Sequence, residues 1–329
     1  MNAPLLEVRE LRKTFSLKGN RLFGRDAGVV RALDDVSFHI DKGETLALVG
    51  ESGCGKSTLA RMAGLLTKPD AGSVLFEGRE ISSMSARDLK PLRRRIQIVY
   101  QDPFASLNPR MSVGAIIAEP LVIHDLGDTD AQHRRVFEVA EMVGLSAADM
   151  ELYPHQFSGG QRQRIAIARA LAPEPSLIIA DEPVSALDVS IQSQILNLMA
   201  ELQRRYDLTY LFISHDLTVV RHLADRVAVM YLGRIVETGP GEELFKNPRH
   251  PYTRALLAAA PVIGRGKRHM GDTLQGDVPS VLDEIQGCPF NPRCWITRAP
   301  CFTDSPELEP VVSDPGHLSA CHLKDEGRL

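Results

Sequence analysis

Apolar and polar positions along the chain change texture several times, and each texture predicts a different element. Leu6-Glu7-Val8-Arg9-Glu10-Leu11 alternates with period two, which predicts a half-buried strand. Phe15 follows, and then a polar, Gly- and Arg-containing insertion runs to about Gly28. Val29–Leu33 and Val36–Ile40 predict two further strands with Asp34-Asp35 as the turn between them. Asp41-Lys42-Gly43-Glu44 is a second turn, leading into Thr45-Leu46-Ala47-Leu48-Val49. That unbroken apolar run fits a parallel strand covered on both faces. Ser73–Phe76 followed by Glu77-Gly78 predicts a short hairpin.

From Met111 to about Ala172 the spacing becomes helical. Val113, Ile116, Ile117 and Leu121 share one face, as do Val136, Val139, Met142 and Val143. This predicts a helical subdomain inserted into an α/β core. Leu177–Ala180 and Tyr210–Ile213 are short and wholly apolar, as central parallel strands are, and helical Ile191–Tyr206 between them makes a βαβ crossover. Val227–Leu232, Gly233-Arg234 and Ile235–Glu237 predict a closing hairpin. Beyond Gly239 the pattern breaks: 11 of the 21 prolines lie there, which excludes long helices and leaves Tyr252–Ala260 as a short one. Residues 241–329 therefore read as a small appended domain.

Composition narrows the function classes. The chain has 329 residues, enough for more than one domain, and a net charge of -4, which gives no electrostatic case for a nucleic-acid partner. Lys90, Arg93, Arg94 and Arg95 form the most basic patch and read as a solvated helix face. Met1–Arg12 lacks the apolar core of a signal peptide, and no stretch reaches the about 18 apolar residues of a membrane span. A cytoplasmic protein, or one held at a membrane by a partner, is expected.

The chemistry centres on Gly50-Glu51-Ser52-Gly53-Cys54-Gly55-Lys56-Ser57-Thr58, which fits G-x-x-x-x-G-K-[ST] between a predicted strand and a predicted helix. Gly50, Gly53 and Gly55 let backbone N–H groups converge on a phosphate, and the helix N-terminus adds its dipole. Lys56 is placed for the β- and γ-phosphates, Ser57 for Mg²⁺, and Thr58 as a further hydroxyl. Cys54 occupies a variable position as a small residue. Asp181 and Glu182 end a buried strand, where Asp181 would hold Mg²⁺ through water and Glu182 would polarise an attacking water. An acidic strand-end turn is the plain alternative, since Pro183 follows. Ser158-Gly159-Gly160-Gln161 opens a helix and offers a second phosphate site. One chain cannot readily turn both sites on one γ-phosphate, whereas a head-to-tail pair can.

The order of Gly50–Ser57, Gln101, Ser158–Gln161, Asp181-Glu182, Ser185-Ala186-Leu187-Asp188 and His215 resembles the ATP-binding subunit of ABC transporters over about residues 5–240. The fold this implies is a P-loop NTPase (ABC ATPase) core of α/β class. It carries an antiparallel β subdomain, a helical subdomain over about residues 101–172 and the small C-terminal cysteine-containing domain. The resemblance also implies roles. Phe15 stacks on adenine, and Gln101 senses Mg²⁺ and the attacking water. Glu182 is the general base, and His215 contacts the γ-phosphate. Asp188 communicates across the dimer, and Ser158 and Gly160 contact ATP held by the other subunit.

Tyr100-Gln101-Asp102-Pro103-Phe104-Ala105-Ser106-Leu107-Asn108-Pro109-Arg110 and Asn247-Pro248-Arg249-His250-Pro251-Tyr252-Thr253-Arg254-Ala255-Leu256-Leu257 are similar to segments of dipeptide and oligopeptide importers. Nickel importers share much of this. The implied partners are two transmembrane permease subunits, an extracytoplasmic peptide-binding protein, and a related ATPase or a second copy. The implied location is peripheral, on the cytoplasmic face of the inner membrane. A soluble ABC protein of translation or DNA repair would resemble two cassettes, or one split by a coiled coil, and this chain has one P-loop and no long heptad run. A non-catalytic cassette would not be expected to keep Glu182 and His215.

Four of the five cysteines form Cys288-x5-Cys294-x6-Cys301-x19-Cys321, with Asn291-Pro292-Arg293 before the second. Thiolates in a proline-rich tail suit a tetrahedral S4 site or an iron–sulfur cluster, and unligated thiols remain an alternative. The spacing lacks the C-x2-C pairs of zinc ribbons. The tail resembles that of peptide-importer ATPases holding a 4Fe–4S cluster, with Zn²⁺ as the runner-up. Its distance in sequence from Glu182 and His215 predicts a structural or regulatory part, with ATP binding at Lys56 independent of these cysteines.

Overall fold

A computed structural model describes residues 3–16, 28–259, 279 and 285–326; most of the polar insertion before Gly28 lies outside the described residues. The first half of the chain runs β1 (Leu6–Ser16), β2 (Val29–Ile40), β3 (Thr45–Val49), α1 (Lys56–Ala63), β4 (Ala71–Phe76), β5 (Arg79–Glu80), α2 (Ala86–Arg95), β6 (Ile96–Val99), α3 (Pro103–Ser106), α4 (Val113–Ile123), α5 (Thr129–Met142) and α6 (Gly159–Leu171). The second half runs β7 (Leu177–Asp181), α7 (Val189–Tyr206), β8 (Thr209–Ser214), α8 (Leu217–Leu223), β9 (Arg226–Tyr231), β10 (Arg234–Pro240), α9 (Gly241–Lys246), α10 (Pro251–Ala259), β11 (Glu309–Val311) and β12 (Asp314–Ser319).

The strands form two sheets. One is antiparallel, in the order β2-β1-β4-β5; the other has the order β11-β12-β10-β9-β3-β8-β7-β6. In the larger sheet β9, β3, β8, β7 and β6 are mutually parallel, and β10 turns back antiparallel. Side chains alternate across each strand, so one apolar run feeds two cores. Leu46, Leu48, Ile179, Leu211, Ile213 and Met230 face α1 and the antiparallel sheet. Ala47, Val49, Ile178, Phe212, Val229 and Tyr231 face the helical side, with Val113, Ile117, Val139 and Ile165. This two-sided burial is why the central strands read as continuous apolar runs rather than alternating ones.

Helix starts follow capping chemistry. Ser85, Ser112, Asp128, Ser158 and Asp216 each accept a backbone N–H of their own first turn. The basic patch lies on α2, where Arg95 grips Glu77 and Arg93 and Arg94 donate to the carbonyls of Leu65 and Pro173.

Two expectations change. Val29–Leu33 and Val36–Ile40 are one strand, not two. Asp35 takes a left-handed conformation (φ 63°), and the register against β1 slips there, so the predicted turn is a bulge. The Asp34 carboxylate beside it accepts two bonds from Arg234. The tail also does more than append. α9 forms where no helix was expected, and β12 pairs with β10, so the last strands continue the main sheet. Glu237 on β10 holds this junction. Its carboxylate is fully buried and accepts the N–H groups of Arg249 and His250 (2.6 and 3.0 Å) and Nε2 of His317 on β12 (2.6 Å).

Removing that carboxylate strands a buried imidazole and two backbone donors at once. Glu237→Ala is therefore expected to lower unfolding stability by about 3–5 kcal/mol. Urea titration would check this, and a loss below about 1 kcal/mol would show that the junction relaxes around the deletion.

Candidate active site

The phosphate loop leaves β3 and enters α1. Gly55 precedes the helix at φ 110° and no side chain caps it, so the first N–H groups stay open to an anion. A Cβ on Gly55 would lie 2.4 Å from the Ala32 carbonyl, and one on Gly50 would lie 2.2 Å from that of Met230. Only glycine lets the loop sit this close to β2 and β9. Lys56 is 4% exposed, and its ammonium donates to the carbonyls of Gly50 (2.7 Å) and Glu51 (2.9 Å). Burial holds the Cys54 thiol above its ordinary range, which keeps it an inert packing residue.

Sheet register brings the other groups to the same edge. Val49 lies beside Ser214, Asp181 beside Ile213, and Val99 beside Ala180. Ser57 Oγ donates to Asp181 Oδ1 at 3.3 Å. Burial raises the Asp181 carboxyl above its ordinary range; Ser57 opposes the shift and the Glu182 charge adds to it. Glu182 sits at φ 50°, its N–H bonded to the Ile213 carbonyl at 3.0 Å. That strained backbone turns its carboxylate toward two partners: Gln101 Nε2 at 3.1 Å and His215 Nδ1 at 3.0 Å. Gln101, the Asp181-Glu182 pair and His215, far apart in sequence, thus meet at one edge of the sheet, where Asp181 also takes Ser57. A carboxylate held by an amide and an imidazole beside a hydroxyl–carboxylate pair has the parts for a positioned base and a Mg²⁺ site.

Ser158 starts α6 through a reciprocal cap: Gln161 N–H to Ser158 Oγ (3.4 Å) and Ser158 N–H to Gln161 Oε1 (3.0 Å). Gly159 and Gly160 face α7, where a Cβ would meet Leu187 (3.2 Å) and Ile191 (2.4 Å). Asp188 is the residue just before the first turn of α7. Phe15, near the end of β1, is 44% exposed, with the Lys13 ammonium 5.7 Å from its ring. The exposed Ser158 turn, Asp188 and Phe15 make no hydrogen bond to Gln101, Glu182 or His215 among the described residues.

Reasoning from sequence missed two residues that touch the loop. The Tyr252 hydroxyl accepts the Glu51 N–H at 2.9 Å, and Arg293 grips the Glu51 carboxylate at 2.7 and 3.0 Å. The only signal was that Tyr252 lies in the importer-like segment Asn247–Leu257 and Arg293 in Asn291-Pro292-Arg293 before the second tail cysteine.

Cys288, Cys294, Cys301 and Cys321 line one pocket with His250, Phe290 and Asn291, and all are free thiols. Among the described residues no group of three or more His, Cys, Asp or Glu is arranged to hold a metal ion. Burial pushes the Cys288 thiol up to about 11 and Cys321 up to about 12, and raises Cys294. The donor set nonetheless fits thiolate ligation. Backbone N–H groups of Phe290, Ile296 and Leu323 face the sulfurs of Cys288, Cys294 and Cys321, and that of Arg298 faces Cys301.

Fold and site together define a P-loop ATPase cassette. The family model for ABC transporters matches residues 33–185, and that for the oligopeptide/dipeptide transporter C-terminal region matches residues 236–301. The oligopeptide transport ATP-binding protein AppF of Bacillus subtilis is 51% identical over 97% of both chains. The dipeptide transport ATP-binding protein DppF of Escherichia coli is 46% identical over 99% of this chain and 96% of its own. Among solved structures, the dimeric cassette MJ0796 bound to ADP and Pi aligns with a TM-score of 0.62 at 29% identity, covering 71% of this chain and 98% of its own. CbiO1 of Clostridium perfringens, part of the ABC transporter complex cbiONQ, aligns with a TM-score of 0.64 at 30% identity, covering 75% and 92%. The chain belongs to the ATP-binding proteins of ABC transporters, in the oligopeptide and dipeptide transporter group.

Glu182→Gln keeps the size and hydrogen bonds of the side chain but removes its basicity. Steady-state ATP hydrolysis is expected to fall by about 10²–10⁴-fold with nucleotide still bound. Hydrolysis within a few-fold of the unchanged chain would remove Glu182 from the role of base.

Proposed function

We propose that this chain is the ATP-hydrolysing subunit that drives import of di- and oligopeptides, working as a head-to-tail dimer beneath two permease subunits. The observation that carries the reading is the convergence of Gln101 and His215 on Glu182, beside the Asp181–Ser57 pair and the open α1 N-terminus. In this reading the loop N–H groups and Lys56 bind the β- and γ-phosphates, and Phe15 stacks on the adenine. Ser57, Asp181 and Gln101 would hold Mg²⁺, which when bound neutralises developing charge on the phosphate oxygens. Glu182 orients the attacking water and takes its proton. His215 keeps the carboxylate aimed and would contact the γ-phosphate. Ser158, Gly159, Gly160 and Gln161 serve nucleotide on the opposite subunit, and Asp188 belongs to the loop that communicates across the dimer.

The partner ATPase is a related subunit or a second copy, and an extracytoplasmic peptide-binding protein delivers the substrate. The chain sits peripherally on the cytoplasmic face of the inner membrane; no described helix is long and apolar enough to cross it. Import of nickel or another small solute is the competing cargo. Co-reconstituted with its permease and binding-protein partners, the chain is expected to drive ATP-dependent uptake of labelled peptide. Ser158→Arg should abolish uptake while leaving the nucleotide affinity of the isolated monomer unchanged. Uptake of nickel but not peptide would replace the cargo, and a matching loss of monomer affinity would overturn the trans site.

The reading extends to the tail: Cys288, Cys294, Cys301 and Cys321 would ligate a 4Fe–4S cluster. What supports it is that all four sulfurs line one pocket and face backbone N–H donors. Such a cluster staples a segment with little core of its own. Chain purified without oxygen is expected to be brown, with equal iron and labile sulfide, four of each as the cluster type requires. Colourless protein with one zinc per chain would decide for Zn²⁺.

A further inference from the structure

The tail was expected to stand apart from hydrolysis, yet it reaches the phosphate loop directly. Asn291–Arg293 is a short 3-10 turn between two of the pocket cysteines. Its base is tied to the pocket: the Cys288 N–H donates to the Cys301 carbonyl at 2.9 Å, and Asn291 Nδ2 donates to the same carbonyl at 3.1 Å. From this turn the Arg293 side chain, 5% exposed, runs past the Tyr231 ring (5.9 Å) to the Glu51 carboxylate, 21% exposed. Phe290 from the same loop packs on Tyr231 and Tyr252, with ring centres at 5.3 and 5.5 Å.

Glu51 is thereby held at three points. Arg293 takes its carboxylate, the Tyr252 hydroxyl takes its N–H, and its carbonyl holds the Lys56 ammonium. Two of the three contacts come from residues beyond Pro240. We propose that Arg293, with Tyr252, positions the phosphate loop through Glu51, so that the four-cysteine pocket and the nucleotide site form one mechanical unit in which the state of the pocket sets nucleotide affinity. The inference rests on the reading of Gly50–Thr58 as the nucleotide site.

The direction follows from charge and order. Without Arg293 the Glu51 carboxylate is an uncompensated charge in a mostly buried place, beside the groups that receive a polyphosphate. The carbonyl that helps hold Lys56 also loses its anchor. Both effects weaken ground-state binding. Neither touches Glu182, Gln101 or His215, so turnover at saturating nucleotide should change little.

The test is a cycle of Arg293→Met, Glu51→Gln and the double variant in the full chain, read by equilibrium binding of a fluorescent ATP analogue and by kcat and KM. Arg293→Met is expected to raise Kd and KM about tenfold with kcat within about threefold. Adding Glu51→Gln should recover most of the affinity, because the stranded charge is gone; disruption of the tail alone would not be rescued this way. Cys294→Ser, at the end of the same turn, should weaken binding in the same direction. Unchanged Kd in Arg293→Met, additive losses in the double variant, or a fall in kcat with constant Kd would each overturn the proposal. If Arg293→Met does not fold, Arg293→Gln, which also removes the charge but keeps a polar side chain, gives the same comparison. Lys56→Ala separates the two levels: normal binding there would remove the nucleotide-site reading itself, whereas loss there with no effect at Arg293 would remove only this inference.

Discussion

Parallel pairing of β9, β3, β8, β7 and β6 is the constraint on which the site depends. Parallel strands end on one edge, and the register sets how far each projects. Because Val49 is level with Ser214 and Asp181 with Ile213, the residues after those strands emerge side by side. Gly50, Glu182 and His215 need no further arrangement to become neighbours. Gln101, two residues beyond β6, joins them by a single hydrogen bond to Glu182. A one-residue slip of β7 against β8 would send Glu182 to the other face of the sheet. The two-sided core prevents this, since Ile178 and Ile179 are both fully packed, on opposite sides.

That same double burial made the centre of the fold legible. A run such as Leu177–Ala180 with no polar residue has few alternatives, and caps such as Ser112, Asp128 and Ser158 mark where helices begin. The nucleotide loop was legible because its chemistry is local: the glycines, Lys56 and Ser57 lie within one turn. The tail was not legible. Glu309-Pro310-Val311 and Asp314-Pro315-Gly316-His317 show no alternation, and their place in the sheet follows from pairing with β10 and from the buried Glu237–His317 contact. The bulge at Asp35 was missed because two acidic residues between apolar runs are the ordinary mark of a turn. Here Arg234 neutralises Asp34, and the strand continues.

Distance in sequence misled most about the link between tail and site. Arg293 and Glu51 are 242 residues apart, and nothing in the sequence around either one points to the other. Yet a buried arginine in a cysteine-bearing loop needs an acid, and a phosphate loop with an acid on its outer side needs a base to keep that charge from opposing its ligand. Each residue is a problem alone and a solution when paired.

A phosphate loop faces a conflict that this pairing resolves. Its inner N–H groups must stay open for the ligand, so they cannot hold the loop in shape beforehand, and its three glycines weaken it further. Rigidity has to come from contacts on the outer side. Here the Glu51 N–H goes to Tyr252 and its carboxylate to Arg293. The Cys54 carbonyl takes the Gly233 N–H, and Gly50 and Gly55 are wedged against the backbones of β9 and β2. The Lys56 ammonium, on two carbonyls of the same loop, is held by bonds that a phosphate could replace. The loop is thus stiff where the ligand does not bind and exchangeable where it does, and part of that stiffness comes from the tail.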